Sequence, residues 1–152
     1  GGASRGILPA LLKEQPKSIV IANRTVEKAE RIAKEFSSNA LQTSKSSNLI
    51  ASSLSFEALK DFEFDVVINA TSVSTNPSQN LNLDESVFRN TSLALDLYYS
   101  QAFTPFMDLA DRAKVPNVID GWGMLVEQAA ESFFLWTGFK PDTSELIAKH
   151  GE

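Results

Sequence analysis

A glycine-rich segment and a short polar triplet are spaced in this sequence as in a site for a dinucleotide. The first six residues include three glycines, which let the backbone approach a pyrophosphate while the amides of a following helix donate to it. About twenty positions later, Asn23, Arg24 and Thr25 close an apolar run, where the second strand of a βαβ unit meets the adenosine ribose. An acid there favours NAD, whereas an arginine accommodates a 2′-phosphate. Neutral Asn23 followed by Arg24 therefore predicts an NADP site.

Two cations follow this run on one predicted helix face. Arg24 can form charge-assisted hydrogen bonds to a pair of phosphate oxygens, and Lys28 lies one helical turn further along. Thr25 adds a hydroxyl and can cap the helix. A solvated helix start with ordinary surface charges is the alternative, and for Lys28 alone both interpretations stay open.

Residues 120–130 form a second segment with chemical potential. Gly121 and Gly123 stand between a predicted strand and a predicted helix, so the backbone there can approach a flat ring. Met124 can pack against such a ring as an adaptable apolar surface. Gln128 follows one turn later on the same helix face, and its amide offers the donor and the acceptor that a polyhydroxylated substrate requires. A tight turn with a core methionine and an exposed glutamine is the alternative.

Polar residues also end a third predicted strand, in the sequence Asn69-Ala70-Thr71-Ser72. Ligands of open α/β sheets bind at the carboxyl ends of strands, so these side chains can meet the ribose and pyrophosphate of a cofactor. They can equally be turn residues that satisfy their own backbone.

The composition narrows the class of protein. With 152 residues, of which 43% are hydrophobic and 22% charged, the chain is predicted to fold as one globular domain. The absence of cysteine excludes a thiolate zinc site and a cysteine nucleophile, and a single histidine, His150, argues against a metal site. A net charge of -5 argues against a nucleic-acid surface. No stretch reaches the roughly 18 apolar residues that cross a bilayer, and the start lacks the pattern of a signal peptide, so a cytoplasmic location is expected.

Apolar runs alternate with helical patterns along the chain, which is typical of a parallel α/β sheet. Strands are predicted over residues 18–23, 49–53, 64–69, 93–97 and 118–120. Helices are predicted over residues 7–12, 25–36, 55–60, 104–113 and 123–137, with a terminal helix capped by Asp142 or Thr143. Loops are predicted over residues 37–47 and 73–82.

Several helix details follow from residue type. Pro9 is expected in a first helical turn, Thr104 with Pro105 is expected to start a helix, and Gly138 is expected to end one. The helix over residues 123–137 carries one apolar stripe, formed by Val126, Ala129, Ala130, Phe133 and Phe134.

The element order predicts the α/β class, as a Rossmann-like doubly wound parallel sheet that forms one NADP-binding domain over residues 1–152. In such a sheet a central strand runs directly into the glycine turn, whereas this sequence starts at Gly1. We therefore expect a sheet truncated before its first strand, with exposed edges through which chains can associate.

Together these motifs closely resemble the cofactor-binding half of shikimate dehydrogenase. The resemblance runs over essentially the whole chain and includes Asp96-Leu97-Tyr98-Tyr99, Thr104-Pro105-Phe106 and the segment 120–130, Asp-Gly-Trp-Gly-Met-Leu-Val-Glu-Gln-Ala-Ala. It implies the NADPH-dependent reduction of 3-dehydroshikimate to shikimate.

The resemblance also implies a role for each matching residue. The pyrophosphate is held by the opening residues Gly1, Gly2, Ala3 and Ser4. The adenosine 2′-phosphate is held by Asn23, Arg24, Thr25 and Lys28, and the cofactor's central region by Thr71 and Ser72. The nicotinamide is bordered by Leu97, Gly121 and Met124, and the substrate is reached by Tyr99 and Gln128.

The chain also departs from the family pattern. The family's catalytic Lys and Asp belong to an amino-terminal substrate domain, and no pair in this sequence occupies their motif, so no catalytic residues are assigned. The chain is expected to bind NADP weakly and to be inactive alone, with that domain and shikimate as its partners. The alternatives are the related domain of a quinate dehydrogenase or of a glutamyl-tRNA reductase type enzyme, and a non-catalytic NADP-sensing module.

Overall fold

The computed structural model describes residues 1–43, 50–73 and 81–150, so most of the predicted loop over residues 73–82 lies outside the described residues. The helices are α1 Gly2–Lys13, α2 Val26–Thr43, α3 Pro105–Arg112, α4 Trp122–Thr137 and α5 Ser144–Ala148. The strands are β1 Ser18–Ala22, β2 Ile50–Leu54, β3 Val66–Asn69, β4 Leu93–Asp96 and β5 Asn117–Ile119. Two 3₁₀ helices span Glu57–Asp61 and Glu85–Phe88.

Every strand pair among the described residues is parallel. One sheet joins β1 to β2, with Ser18 opposite Ile50. The other has the order β3-β4-β5, with Val66 opposite Leu93 and Leu93 opposite Asn117. Parallel strands need crossover connections, and here a helix follows β1 and another follows β4. The predicted α/β class with a parallel sheet is confirmed.

The contacts group the chain into two compact units. The first holds residues 1–63 and 82–87, and α2 packs there on β1 and β2 and buries Ala29, Ile32 and Ala33. The second holds residues 64–81 and 88–152, and α3 packs there on β4 and β5. The ring of Phe106 on α3 lies edge-on to Phe88 with centroids 5.6 Å apart. That one domain covers residues 1–152 stays a prediction.

Helix ends follow the predicted chemistry closely. The Thr104 hydroxyl accepts the backbone N–H of Met107 at 3.2 Å, and Pro105 fills the first turn of α3. Gly138 ends α4 at φ 74°, in the left-handed region that favours glycine. The backbone N–H of Ser144 donates to Asp142 at the start of α5, which lowers the pKa of that carboxyl group.

Two predictions about where helices begin and end are wrong. The predicted loop over residues 37–47 is helical as far as Thr43, and residues 44–47 lie outside the described residues. Starting a helix orders several residues for one hydrogen bond, whereas extending it orders only one residue for each added hydrogen bond. Serines that would not start a helix can therefore continue one. Pro9 lies inside α1 rather than in its first turn, because the helix already begins at Gly2.

The predicted apolar stripe of α4 is only partly buried. Val126 and Ala130 are buried, whereas Ala129, Phe133 and Phe134 are exposed. Periodicity finds the apolar face of a helix, but how far that face is covered depends on what packs against it. Among the described residues, no helix combines the length and the apolar character needed to cross a membrane.

Candidate functional site

In the first unit, α1 begins on two glycines. The helix begins at Gly2 with no side-chain hydrogen bond at its cap and no acid in its first turn. A side chain built at Gly1 or Gly2 would find no other atom within 4 Å, and Ala3 is exposed beside half-buried Ser4. The first amides of a helix have no partner within the helix, so this end suits an anion.

The residues after β1 form a tight turn that leads into α2. The Asn23 side-chain oxygen accepts the backbone N–H of Thr25 at 2.9 Å, and the Thr25 carbonyl accepts the N–H of Lys28 at 3.0 Å. Arg24 and Lys28 are exposed, and neither forms an ion pair within the part of the chain that the structure describes. The turn therefore presents two cations whose charge is available to an anionic ligand.

In the second unit, a fully buried carboxyl group connects the ends of two strands and the start of α3. Asp96 Oδ1 accepts the side-chain N–H of Asn69 at 3.1 Å and the backbone N–H of Tyr98 at 3.0 Å. Asp96 Oδ2 accepts the Thr104 hydroxyl at 2.7 Å. Because Thr104 also caps α3, one carboxyl group fixes β3, β4 and the helix that follows.

The segment after β3 is a turn closed by its own side chains. Asn69 Oδ1 accepts both the backbone N–H of Thr71, at 3.1 Å, and its hydroxyl, at 2.7 Å. The Thr71 hydroxyl in turn accepts the N–H of Val73 at 3.3 Å. This is the turn arrangement that the sequence left open as an alternative, and Ser72 lies exposed within it.

The two glycines after β5 differ in which atoms lie where a side chain would stand. A Cβ at Gly121 would lie 2.2 Å from the Leu97 carbonyl oxygen, and the Gly121 N–H donates to the Tyr98 carbonyl at 3.2 Å. A Cβ at Gly123 would meet only Ile147 Cγ2, at 3.9 Å. The space at Gly121 is thus taken by the chain's own backbone, whereas Gly123 leaves the start of α4 open.

Two residues with predicted roles lie exposed along α4. Met124 is 45% exposed, in its first turn, and Gln128 is exposed one turn later. Met124 is therefore not the core methionine of the alternative interpretation, whereas an exposed Gln128 agrees with both interpretations. Both side chains can therefore contact a ligand.

Sequence reasoning missed the two acids that organise the second unit, Asp96 and Asp120. Asp120 Oδ2 lies 2.9 Å from His150 Nε2 and 3.3 Å from the Ser100 N–H that donates to it, and its Oδ1 accepts the Trp122 N–H at 3.0 Å. The sequence signal that could have found them is their position, because each acid stands at the carboxyl end of a predicted strand. Among residues 1–43, 50–73 and 81–150, no cluster of three potential metal ligands is present.

Parallel sheets with helices, a helix that starts on glycine and polar turns at strand ends are features of the Rossmann-like α/β fold class. Residues 1–100 match the family described as shikimate / quinate 5-dehydrogenase, and residues 121–148 match the shikimate 5′-dehydrogenase C-terminal domain. The chain belongs to the shikimate / quinate 5-dehydrogenase family.

Individual relatives agree with this assignment. A shikimate dehydrogenase (NADP(+)) from Nitrosospira multiformis is 43% identical over 97% of this chain and 50% of its own length. The crystal structure of an Ael1 enzyme from Pseudomonas putida matches with a TM-score of 0.79 and 38% identity, over 100% of this chain and 52% of that one. A shikimate dehydrogenase solved in complex with NADP+ matches with a TM-score of 0.65 and 32% identity, over 89% and 47% of the two chains. The chain spans about half the length of the curated relatives it matches.

Proposed function

We propose that this chain is the cofactor-binding part of an NADP-dependent shikimate dehydrogenase, which interconverts 3-dehydroshikimate and shikimate. The observation that carries the proposal is the turn after β1, where Arg24 and Lys28 are exposed without an ion pair to any residue that the structure describes, and neutral Asn23 stands at the ribose position. The names of the relatives, which include NADP(+), support the same cofactor.

In the first unit, the proposal assigns the two phosphate-binding roles. Arg24 and Lys28 bind the adenosine 2′-phosphate, with Asn23 and Thr25 holding the turn that presents them. Residues 1–4 bind the pyrophosphate through the uncapped amides at the start of α1. Both roles need positive potential and backbone access, and both features are present in that unit.

In the second unit, the proposal assigns the ring end of the cofactor and the substrate. Leu97, Gly121 and Met124 border the nicotinamide, and Thr71 and Ser72 lie toward the centre of the cofactor. NADPH, when bound, supplies the hydride for the carbonyl carbon. Tyr99 and Gln128 contact the hydroxyl groups of the substrate, for which the exposed amide of Gln128 offers a donor and an acceptor.

Exposed apolar side chains at the end of α4 and just after it support the proposal that this part of the enzyme packs against a partner. Leu135, Trp136 and Phe139 are 79%, 82% and 64% exposed, and large exposed apolar patches mark interaction surfaces. The relatives are about twice as long as this chain, so their amino-terminal half is the proposed cover. That half is also the proposed source of the acid-base residues, since no Lys and Asp pair in this sequence occupies the catalytic motif that the resemblance implies.

Replacing Arg24 with alanine tests the proposed cofactor. Loss of one charge-assisted hydrogen bond should weaken NADPH binding by about 1.5–3 kcal/mol, or roughly ten- to 150-fold, and leave NADH binding almost unchanged. The measurement is a calorimetric titration of the chain with each cofactor. Lys17→Ala is the matched control, because this exposed cation stands at the opposite end of β1. Equal losses for both cofactors would remove the proposed role of Arg24.

The proposed activity can be tested with a completed enzyme, in which the amino-terminal half of the Nitrosospira multiformis relative is fused in front of this chain. We expect the completed enzyme to oxidise shikimate with NADP+ and the 152-residue chain alone to show no turnover. Formation of NADPH, followed by absorbance, measures both. Turnover by the chain alone would overturn the proposed need for a partner. NADP binding without turnover by the completed enzyme would favour the sensing module.

A further inference from the structure

Three aromatic rings in the second unit pack against one another around Tyr99. The Tyr99 ring lies 4.9 Å from the Trp122 ring and 5.5 Å from the His150 ring, measured between centroids. Trp122 and His150 stack on each other at 5.2 Å with an interplanar angle of 18°. Tyr99 is therefore contacted from two sides by rings that also contact each other.

Hydrogen bonds hold the two outer rings in place. The Trp122 indole N–H donates to the Leu146 carbonyl on α5 at 3.2 Å. His150 Nε2 lies 2.9 Å from Asp120 Oδ2, and the Asp120 side chain is only 5% exposed. The same carboxyl group accepts the N–H of Ser100, the residue next to Tyr99. The chain's carboxyl-terminal segment is thus bonded to the turn that carries Tyr99.

We propose that Trp122 and His150 are positioning residues that fix the ring of Tyr99 for contact with the substrate. A tyrosine that contacts a small polyol must keep its ring orientation, and each ring contact removes orientations that would not bind. Asp120 sets the geometry because its carboxyl group bonds to the His150 ring and accepts the backbone N–H groups of Ser100 and Trp122. The part of this inference that concerns substrate rests on the proposed function.

The packing can be tested in the 152-residue chain by NMR with labelled tyrosine. The sequence has two tyrosines, and Tyr98 serves as the internal reference because none of the described ring contacts involves it. We expect His150→Ala to shift and broaden the Tyr99 ring signals while those of Tyr98 stay in place. His150→Phe keeps a ring at that position and should restore most of the wild-type signal. Lys149→Ala, an exposed neighbour, is the matched control.

The positioning role is tested in the completed enzyme. We expect His150→Ala to raise the KM for shikimate by about three- to tenfold, the size of one lost ring contact, with kcat and the KM for NADP+ within about twofold of wild type. His150→Phe should recover most of the shikimate KM.

Unchanged Tyr99 ring signals in the His150→Ala chain would overturn the inference, whatever KM the completed enzyme shows. An unchanged shikimate KM in an active completed enzyme would overturn the positioning role and leave the proposed function intact. Absence of any NADP-dependent turnover by the completed enzyme that carries the wild-type sequence would count against the proposed function instead, and the NMR result would still decide whether the rings are held.

Discussion

Replacing Gly121 with alanine should cost the protein about 3 kcal/mol or more of unfolding free energy. The added Cβ would stand 2.2 Å from the Leu97 carbonyl oxygen and 2.7 Å from its carbonyl carbon, and backbone atoms cannot rotate away as a side chain can. The turn over residues 97–99 would have to move, and Leu97 and Tyr99 with it. Urea unfolding of the chain, followed by far-ultraviolet circular dichroism, measures the loss.

Gly123→Ala is the control for this prediction. It adds the same methyl group two residues later, where the nearest atom outside the backbone of α4 is Ile147 Cγ2, at an ordinary contact distance of 3.9 Å. Because Gly123 is inside α4, alanine should leave the stability unchanged or raise it by up to about 1 kcal/mol. Similar losses for the two variants would contradict the close backbone approach at Gly121.

Replacing Asp96 with asparagine should cost about 2–4 kcal/mol. The amide nitrogen that would replace Oδ2 cannot accept the hydrogen of the Thr104 hydroxyl, and a neutral amide oxygen is a weaker acceptor than a carboxylate for the bonds from Asn69 and Tyr98. Asp96 is 0% exposed, so water cannot replace the lost bonds. The change keeps the shape of the side chain, so the loss reports on hydrogen bonding and charge rather than on a cavity. The urea midpoint at an unchanged m-value is the measurement.

Asp108→Asn provides the comparison for Asp96, since Asp108 is an exposed acid in the first turn of α3. Its loss should cost less than about 1 kcal/mol, the size of a charge effect at a helix start. A loss at Asp96 as small as that at Asp108 would show that the buried network contributes little to the fold.

The elements that the sequence predicts well depend on neighbours in the chain. Thr104 and Pro105 specify the start of α3, and Gly138 specifies the end of α4, within one turn of helix. Strands β1 and β3 are likewise predicted to within two residues, because apolar runs between turn residues are a local signal.

Features that depend on distant contacts escape such reasoning. The sequence shows His150 only as a single histidine, whereas in the structure its ring lies against Asp120, 30 positions away. Asp96 bonds to Asn69 across 27 positions. The exposure of Phe133 and Phe134 has the same origin, since it depends on what covers α4 rather than on the helix itself. The phosphate-binding roles of residues 1–4, of Asn23, Arg24 and Thr25, and of Lys28 stay predictions.

The central claim is that the turn after β1 recognises a 2′-phosphate, and two adenosine compounds that differ only in that group test it most directly. Calorimetry of the chain with adenosine 2′,5′-bisphosphate and adenosine 5′-monophosphate should show at least about tenfold tighter binding of the bisphosphate. This preference should disappear in Arg24→Ala. Equal affinity for the two compounds, or a preference that persists in Arg24→Ala, would contradict the account.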